Sequence, residues 1–116
     1  MRILNTTRGT ELASDARVAR GYWSRLIGLM GRGSMRPGEG LVLDPCTSVH
    51  TFFMRFAIDI LYVDRSQKVV KVVSTLRPFR VSGVLRGGRA VIELPSGTAE
   101  RTQTVPGDQL SYAEDD

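Results

Sequence analysis

Short apolar runs separated by turn-forming residues dominate the chain from Leu41 onward and limit the folds open to it. The runs are rich in valine, isoleucine, leucine and aromatic residues, whose side chains pack well on the pleated surface of a sheet. Pro45, Pro78 and a PSG triplet at 95–97 interrupt them, and these residue types favour turns. The pattern therefore predicts a mainly β, antiparallel domain. The runs are LVLDP, SVHTFFM, IDILYVD, KVVKVVSTL, AVIELP and QLSY.

Two predicted hairpins define part of the strand order. ILYVD (60–64) and KVVKVV (68–73) are separated by three polar residues, and so short a turn makes the two strands antiparallel neighbours. Residues 2–6 and 10–13 are short and mixed in pattern, which fits two strands joined at Gly9. Near the end, the turn sequence PGD precedes a last short strand.

One segment has helical periodicity instead. In YWSRLIGLMGRGS, apolar residues recur at intervals of three and four positions, which places them on one face of a helix. Two glycines follow where such a helix would end. We predict one short amphipathic helix near 22–30, with Trp23, Leu26, Ile27 and Met30 on its apolar face.

The length and composition fit a single globular domain. A chain of 116 residues with 41% hydrophobic and 24% charged residues is typical of one compact core. We predict one compact antiparallel β-barrel or sandwich-like domain over 1–116, with an acidic tail at 113–116. The N-terminus turns polar after Leu4, and no apolar segment has the length of a membrane span. Together with a single cysteine, which cannot form an internal disulfide, this predicts a cytoplasmic location.

The net charge of +4 raises the question of nucleic-acid binding. Nearly all of the 16 basic residues are arginines, and the segment RPFRVSGVLRGGR (77–89) carries four of them without an acid. We interpret this segment as a basic, solvated loop, because charge alone is a weak indication of a binding surface. An anion or nucleic-acid surface is the less favoured alternative, and its residues would be Arg77, Arg80, Arg86 and Arg89.

The only cysteine and the only histidine, Cys46 and His50, lie close together in the sequence. In an extended strand their Cα atoms would be about 13 Å apart, too far for one metal ion or a direct proton transfer. They converge only if residues 45–48 form a turn, and no CxxC or HExxH pattern supports zinc. We therefore predict no metal and no cofactor, and keep a Cys-His or metal site as the alternative. Its further ligands would come from Asp44, Asp59, Asp64 or Glu93.

Two acids, Asp59 and Glu93, stand inside apolar runs. Both alternating sets of IDILYVD contain large apolar residues, so both faces of this strand are expected to be covered. A covered carboxylate needs a partner, and Arg25 or Arg55 could supply a buried ion pair. The alternative is a general acid–base pair formed by Asp59 and Glu93, with pKa values shifted by burial.

Five stretches occur in an order typical of one family: RLIGLMGR (25–32), PCTSVHTFFMRFAIDILYVD (45–64), LRP (76–78), VIELPSGTAER (91–101) and PGDQL (106–110). From about residue 24 to 110 the sequence resembles the DUF192 family, small prokaryotic proteins of unassigned function. The resemblance implies a compact, mainly β domain with a short helix. The family pattern is matched at Arg25, Gly28, Leu29, Met30, Met54, Asp59, Asp64, Glu93, Gly97, Gly107 and Asp108.

The central motif departs from the commoner family version. Many members have a tryptophan before the central methionine and an Asn-Thr pair after it, whereas here Phe53 precedes Met54 and RFA follows. The chain is similar to a subgroup with the sequence CxSVHTFFM. A site at Cys46 and His50 would belong to that subgroup alone, and the family name implies no activity, cofactor or partner.

These observations favour a non-catalytic binding or accessory module over an enzyme. We expect a small ligand or another protein as its partner, with Arg55, Asp59 and Glu93 as candidate contact residues beside apolar walls. A small hydrolase-like enzyme or metal-binding protein using Asp59 and Glu93, or Cys46 and His50, is the alternative. An arginine-loop nucleic-acid or anion binder is the third hypothesis. The identity of the ligand and the oligomeric state stay open.

Overall fold

The computed structural model describes residues 1–20, 33–45, 49–50, 56–77, 81–82 and 88–114. Within these residues the chain forms ten β-strands and one short helix. The strands are β1 (Arg2–Asn5), β2 (Thr10–Ala13), β3 (Asp15–Ala19), β4 (Glu39–Leu43), β5 (Val49–His50), β6 (Ile58–Val63), β7 (Val69–Leu76), β8 (Val81–Ser82), β9 (Ala90–Pro95) and β10 (Leu110–Ala113), and the helix is α1 (Thr98–Arg101).

Five strands form the largest sheet, in the order β3-β4-β9-β6-β7. Its central strand, β9, pairs antiparallel with β4 on one side and with β6 on the other. A three-stranded sheet has the order β10-β1-β2, and β5 pairs with β8. The mainly β prediction is confirmed. The antiparallel prediction holds for these pairs, but β3 and β4 run parallel.

Both faces of the five-stranded sheet are covered by apolar residues. Strand β6 shows this, since it is buried at every position. We call one side the intersheet face, since its residues pack against the three-stranded sheet; this cluster includes Val42, Leu61, Ile92 and Leu94 together with Ile3, Leu12 and Leu110. We call the other side the Glu93 face, and its cluster includes Met35, Leu41, Ile60, Tyr62 and Val91. Of the two predicted forms, the sandwich-like one fits, since the described strands form separate sheets rather than one closed barrel.

Both predicted hairpins are confirmed. Strands β1 and β2 pair antiparallel across Gly9, whose φ of 70° lies in the left-handed region that glycine adopts without strain. Strands β6 and β7 pair antiparallel across the predicted polar turn. The helix predicted near 22–30 lies outside the described residues.

Three elements were not predicted from the sequence, and one of them, β8, lies in the segment 77–89 that was expected to be a loop. Strand β3 consists of exposed Asp15 and Arg17, two small buried alanines and a single branched apolar residue, Val18, which is too weak a pattern to indicate a strand. Helix α1 follows Gly97 and has only four residues, too few for a helical period to show. In the described part of the chain, no helix combines the length and apolar character needed to cross a membrane.

Candidate functional site

Asp59 is a fully buried carboxylate on the intersheet face. Its neighbour across β9 is Leu94, a member of the intersheet cluster. Oδ1 accepts a hydrogen bond from the N–H of Thr75 at 2.8 Å, and Oδ2 accepts bonds from the N–H groups of Gly97 at 3.1 Å and Ala99 at 2.9 Å. The side chain therefore joins β6 to the end of β7 and to the first turn of α1, whose N–H groups have no partner inside the helix.

Glu93 occupies the centre of the Glu93 face, on the central strand of the sheet. Its neighbours in the adjacent strands are Leu41 and Ile60, which are both fully buried apolar residues. The residue is 5% exposed, and Oε2 has no hydrogen-bond partner within the described residues. Burial raises the pKa of this carboxyl from 4.5 to about 7, while the charge of Arg17 lowers it by a smaller amount. Near neutral pH the group therefore exists in both forms, and can accept a hydrogen bond or donate one.

The structure does not bring Asp59 and Glu93 together. Asp59 pairs with Leu94 and Glu93 pairs with Ile60, so the two acids occupy successive positions of the paired strands. Successive positions point to opposite faces of a sheet, which places the sheet itself between the two carboxyls. The hypothesis that they form one acid–base pair is therefore wrong.

Within the described residues, backbone N–H groups are the hydrogen-bond partners of Asp59. Both of its oxygens accept backbone N–H groups, as described above. The proposed arginine partners, Arg25 and Arg55, lie outside the described residues. The prediction that both faces of this strand are covered is confirmed, because Ile58–Val63 is buried throughout.

A row of side chains crosses the Glu93 face from one edge of the sheet to the other. Arg17 is the neighbour of Leu41, which is the neighbour of Glu93; Ile60 and Val73 continue the row. Arg17 lies on the edge strand β3 and is exposed, so its charge reaches Glu93 across an intervening leucine. This compensation is weak, and the carboxyl keeps its raised pKa.

Asp108 is a third buried acid, in the turn before β10. Its Oδ2 accepts hydrogen bonds from Asn5 Nδ2 at 3.0 Å, Arg8 Nε at 3.1 Å and the Val105 N–H at 3.1 Å. Burial by itself raises the pKa of this carboxyl, but these hydrogen bonds and the charge of Arg8 outweigh it and hold the pKa below its ordinary value of 3.8. The carboxylate of Asp108 is thus held by hydrogen bonds that stabilise the fold, like that of Asp59 and unlike that of Glu93.

The other predicted residues are dispersed. Arg77 is exposed, and Arg89 forms an ion pair with Asp44 at 3.0 Å. No group of three or more metal-ligating side chains occurs in the described ranges. For His50 only the backbone, in β5, is described. The predicted residues outside the described ranges are Arg25, Gly28, Leu29, Met30, Cys46, Met54, Arg55, Arg80 and Arg86.

Sequence reasoning missed a surface pocket of about 380 Å³ beside the ends of β4 and β6. Its lining residues are distant in sequence, and no local motif marks them. Tertiary structure alone assembles them. The lining consists of Asp44, Val63, Asp64, Arg65, Gln67, Arg89, Ala90 and Tyr112.

The fold and the buried acids define a small, mainly β, sandwich-like protein whose central strand carries one carboxyl oxygen without a hydrogen-bond partner among the described residues. The chain belongs to the DUF192 family, described as "Uncharacterized ACR", whose pattern matches residues 3–112. A UPF0127 protein of Pyrococcus furiosus is 32% identical over 116 residues, covering 95% of this chain and 97% of that protein. A UPF0127 protein of Pyrococcus horikoshii is 30% identical with the same coverage.

Two solved structures share the fold. A protein of unknown function from Novosphingobium aromaticivorans superposes with a TM-score of 0.81 at 20% identity, covering 96% of this chain and 82% of that one. A Sinorhizobium meliloti protein whose proposed role is transcription regulation gives a TM-score of 0.78 at 23% identity, covering 95% of this chain and 89% of that one. Both structures are less than 25% identical to this chain, so the likeness supports the fold alone.

Proposed function

We propose that this protein is a non-catalytic module that binds a small ligand through Glu93. The observation that carries the proposal is the buried Oε2 atom of Glu93, which has no hydrogen-bond partner among the described residues. Buried polar atoms in proteins are almost always hydrogen-bonded, so an exception requires an explanation, and groups with strongly shifted pKa values cluster at functional sites. A ligand that donates a hydrogen bond would supply that partner.

The free-energy cost of burying the Glu93 carboxylate also supports a functional role for this residue. Burying an ionised carboxylate without a partner is unfavourable by several kcal/mol, so a purely structural role would be better served by an apolar residue of similar size. Asp59 and Asp108 illustrate the structural solution, since each accepts three hydrogen bonds. Glu93 lacks this arrangement.

The surroundings suggest the chemical class of the ligand. The nearest cross-strand side chains, Leu41 and Ile60, are apolar, and Val91 lies two positions earlier on the same strand and face. Such walls favour a ligand with an apolar body and one hydrogen-bond donor. An amine is the best match, because its ammonium group would also neutralise the carboxylate.

The rival functions have less support. A lone carboxyl with a pKa near 7 suits a general base, but Asp59 lies on the opposite face and supplies no second group. For nucleic-acid binding, the described part of the arginine-rich segment offers an exposed Arg77 and an Arg89 paired with Asp44, and charge alone is a weak indication of a binding surface. A cytoplasmic location also stays a prediction, supported by the single cysteine.

The proposal is tested by a thermal-shift screen of amines and of neutral alcohols with apolar bodies, comparing wild type with Glu93→Gln. Glu100→Gln on the exposed side of α1 is the matched control, because it removes the same charge from a solvated site. A ligand at about 100 times its dissociation constant should add about 2.7 kcal/mol of stability. We expect a hit in wild type and Glu100→Gln that is lost in Glu93→Gln. Equal shifts in all three proteins, or a screen without hits, would contradict the proposal.

A further inference from the structure

The surface pocket lies where the two larger sheets meet. It is bounded by the residue after β4, the turn between β6 and β7, the start of β9, and Tyr112 of β10. Backbone hydrogen bonds hold these segments in place: the Arg89 N–H donates to the Val63 carbonyl at 2.8 Å, and the Leu110 N–H donates to the Gln67 carbonyl at 2.9 Å. The pocket is therefore built from fixed elements of the fold.

Its base is apolar and its rim is charged with both signs. Val63 and Ala90 are buried and form part of the intersheet cluster. Around them lie two guanidinium groups, from Arg65 and Arg89, and two carboxylates, from Asp44 and Asp64. The charges on the rim therefore balance.

The rim also keeps hydrogen-bonding capacity for a bound molecule. Arg89 uses only Nε for its 3.0 Å bond to Asp44 Oδ1, so its two Nη groups have no bond to a described residue. Asp64 Oδ1 accepts the N–H groups of Ser66 and Lys68, which leaves Oδ2 without a partner among the described residues. Because Arg89 and Asp64 both line the pocket, its rim includes one donor fork and one carboxylate oxygen with this capacity.

Tyr112 adds a neutral donor to this rim. Burial, and then the charge of Asp44, raise the pKa of its hydroxyl to about 12, so the phenol stays protonated at physiological pH. Its O–H makes no hydrogen bond with the described part of the chain, which leaves it able to donate to a bound oxygen.

We propose that this pocket is a second ligand site, separate from Glu93, and that it binds a small zwitterion of the α-amino-acid type. A simple anion would meet the repulsion of Asp44 and Asp64, and a simple cation that of Arg65 and Arg89. A zwitterion satisfies both sets: its carboxylate binds the guanidinium fork of Arg89 and its ammonium binds Asp64. The volume of about 380 Å³ suits a molecule the size of an amino acid or dipeptide.

The test is calorimetric titration of the full chain with the common α-amino acids as probes, together with the corresponding amines and N-acetyl amino acids. In the Glu93→Gln protein, which lacks the site of the first proposal, we expect at least one amino acid to bind, and its amine and N-acetyl forms to bind at least about tenfold more weakly. Arg89→Gln should weaken binding at least about tenfold, and Arg89→Lys should do so by less, because lysine keeps the charge but lacks the fork. Tyr112→Phe should weaken it a few-fold.

Two controls separate the alternatives. Arg101→Gln, on the exposed surface of α1, should leave the affinity unchanged. Comparing wild type with Glu93→Gln separates the two sites: binding that is lost in Glu93→Gln belongs to the first proposal, and binding that is kept belongs to the pocket, so the two proposals fail separately. Folding of each variant is checked by its melting temperature. Failure of every amino acid to bind, equal binding of the amine or N-acetyl form, or full affinity in Arg89→Gln would overturn the proposal.

Discussion

Asp59 and Glu93 are both buried acids of the same sheet, one position apart in the strand pairing, yet their surroundings are opposite. Asp59 receives three backbone hydrogen bonds on the intersheet face, whereas Glu93 Oε2 on the other face has no hydrogen-bond partner among the described residues. Burial is the same in the two cases. The supply of donors differs, and that supply decides whether a buried acid serves the fold or is available to a ligand.

Irregular backbone near Asp59 provides its donors. The pairing of β6 with β7 shifts between Ile58 and Ile60, and Thr75 has a φ of 57°, so the Thr75 N–H turns toward the carboxylate instead of a strand partner. The first turn of α1 supplies the other two donors. Glu93 lies on a central strand with regular pairing on both sides, where N–H groups are used within the sheet.

The largest effect is expected from Asp59→Asn, which tests whether the buried carboxylate of Asp59 stabilises the fold. An amide presents an NH₂ group toward backbone N–H donors and removes the negative charge, so we expect a loss of about 3–5 kcal/mol in the free energy of unfolding. Urea denaturation measures it. Asp15→Asn is the matched control, because Asp15 is exposed and its 3.8 Å ion pair with Arg36 contributes at most about 1 kcal/mol. Similar losses in the two variants would contradict the structural role of Asp59.

The pH dependence of stability tests Glu93. Its pKa is raised by folding, so the folded state binds the proton more tightly than the unfolded state. The contribution of Glu93 is therefore present below pH 4.5 and declines as the pH rises to about 7. The shift corresponds to roughly 3 kcal/mol. Glu93→Gln should lack this decline and be more stable than wild type at about pH 8. Parallel stability curves for the two proteins, from urea denaturation across this range, would contradict the assignment.

Asp108 should respond to pH in the opposite direction. Its pKa is lowered by folding, so its contribution is present above pH 3.8 and is lost as the pH falls through the folded value. Asp108→Asn should cost about 1.5–3 kcal/mol at neutral pH, because the bonds from Asn5, Arg8 and Val105 lose a charged acceptor. Urea denaturation at neutral and acid pH measures both effects. If the variant were as stable as wild type at neutral pH, the hydrogen bonds of Asp108 would not stabilise the fold as proposed.

Gly40→Ala tests how closely the intersheet face is packed. An added Cβ would lie 3.0 Å from the Cβ of Ala13 and 3.3 Å from Leu94 Cδ2, where the two sheets meet. We expect a loss of about 1–2 kcal/mol from overpacking. Thermal denaturation measures it, and Gly33→Ala is the control, since no atom of the described residues lies within 4 Å of its added Cβ. A loss no larger than that of Gly33→Ala would show that this face has room to adjust.

The smallest expected effect comes from Arg17→Gln. Arg17 is exposed on the edge strand, so its removal should change stability little at low pH, where Glu93 is protonated. Its charge lowers the pKa of Glu93, so the variant should move the pH transition of Glu93 upward. The pH profile of unfolding measures this shift, and Arg2→Gln, on the other sheet, should leave the transition in place. If the transition of Arg17→Gln occurred at the same pH as that of wild type, the charge of Arg17 would have no effect on Glu93.

Periodicity and turn chemistry alone predicted much of the described fold. The run AVIELP coincides with β9, and the polar turn between ILYVD and KVVKVV predicted the pairing of β6 with β7. Both signals are local, which is why a single sequence carries them. Strand β3 escaped prediction because it depends on its parallel partner β4 rather than on its own residues.

The sequence by itself determined that this is a mainly β domain and that Asp59 and Glu93 stand inside apolar runs. Only the tertiary structure decided what those acids do. Pairing of β6 with β9 places them on opposite faces, and the donors for Asp59 come from Thr75, Gly97 and Ala99, which are distant in sequence. The same holds for the pocket around Arg89. Alternation tells which positions share a face of a strand, but hydrogen-bond partners are set by chain segments that meet only after folding.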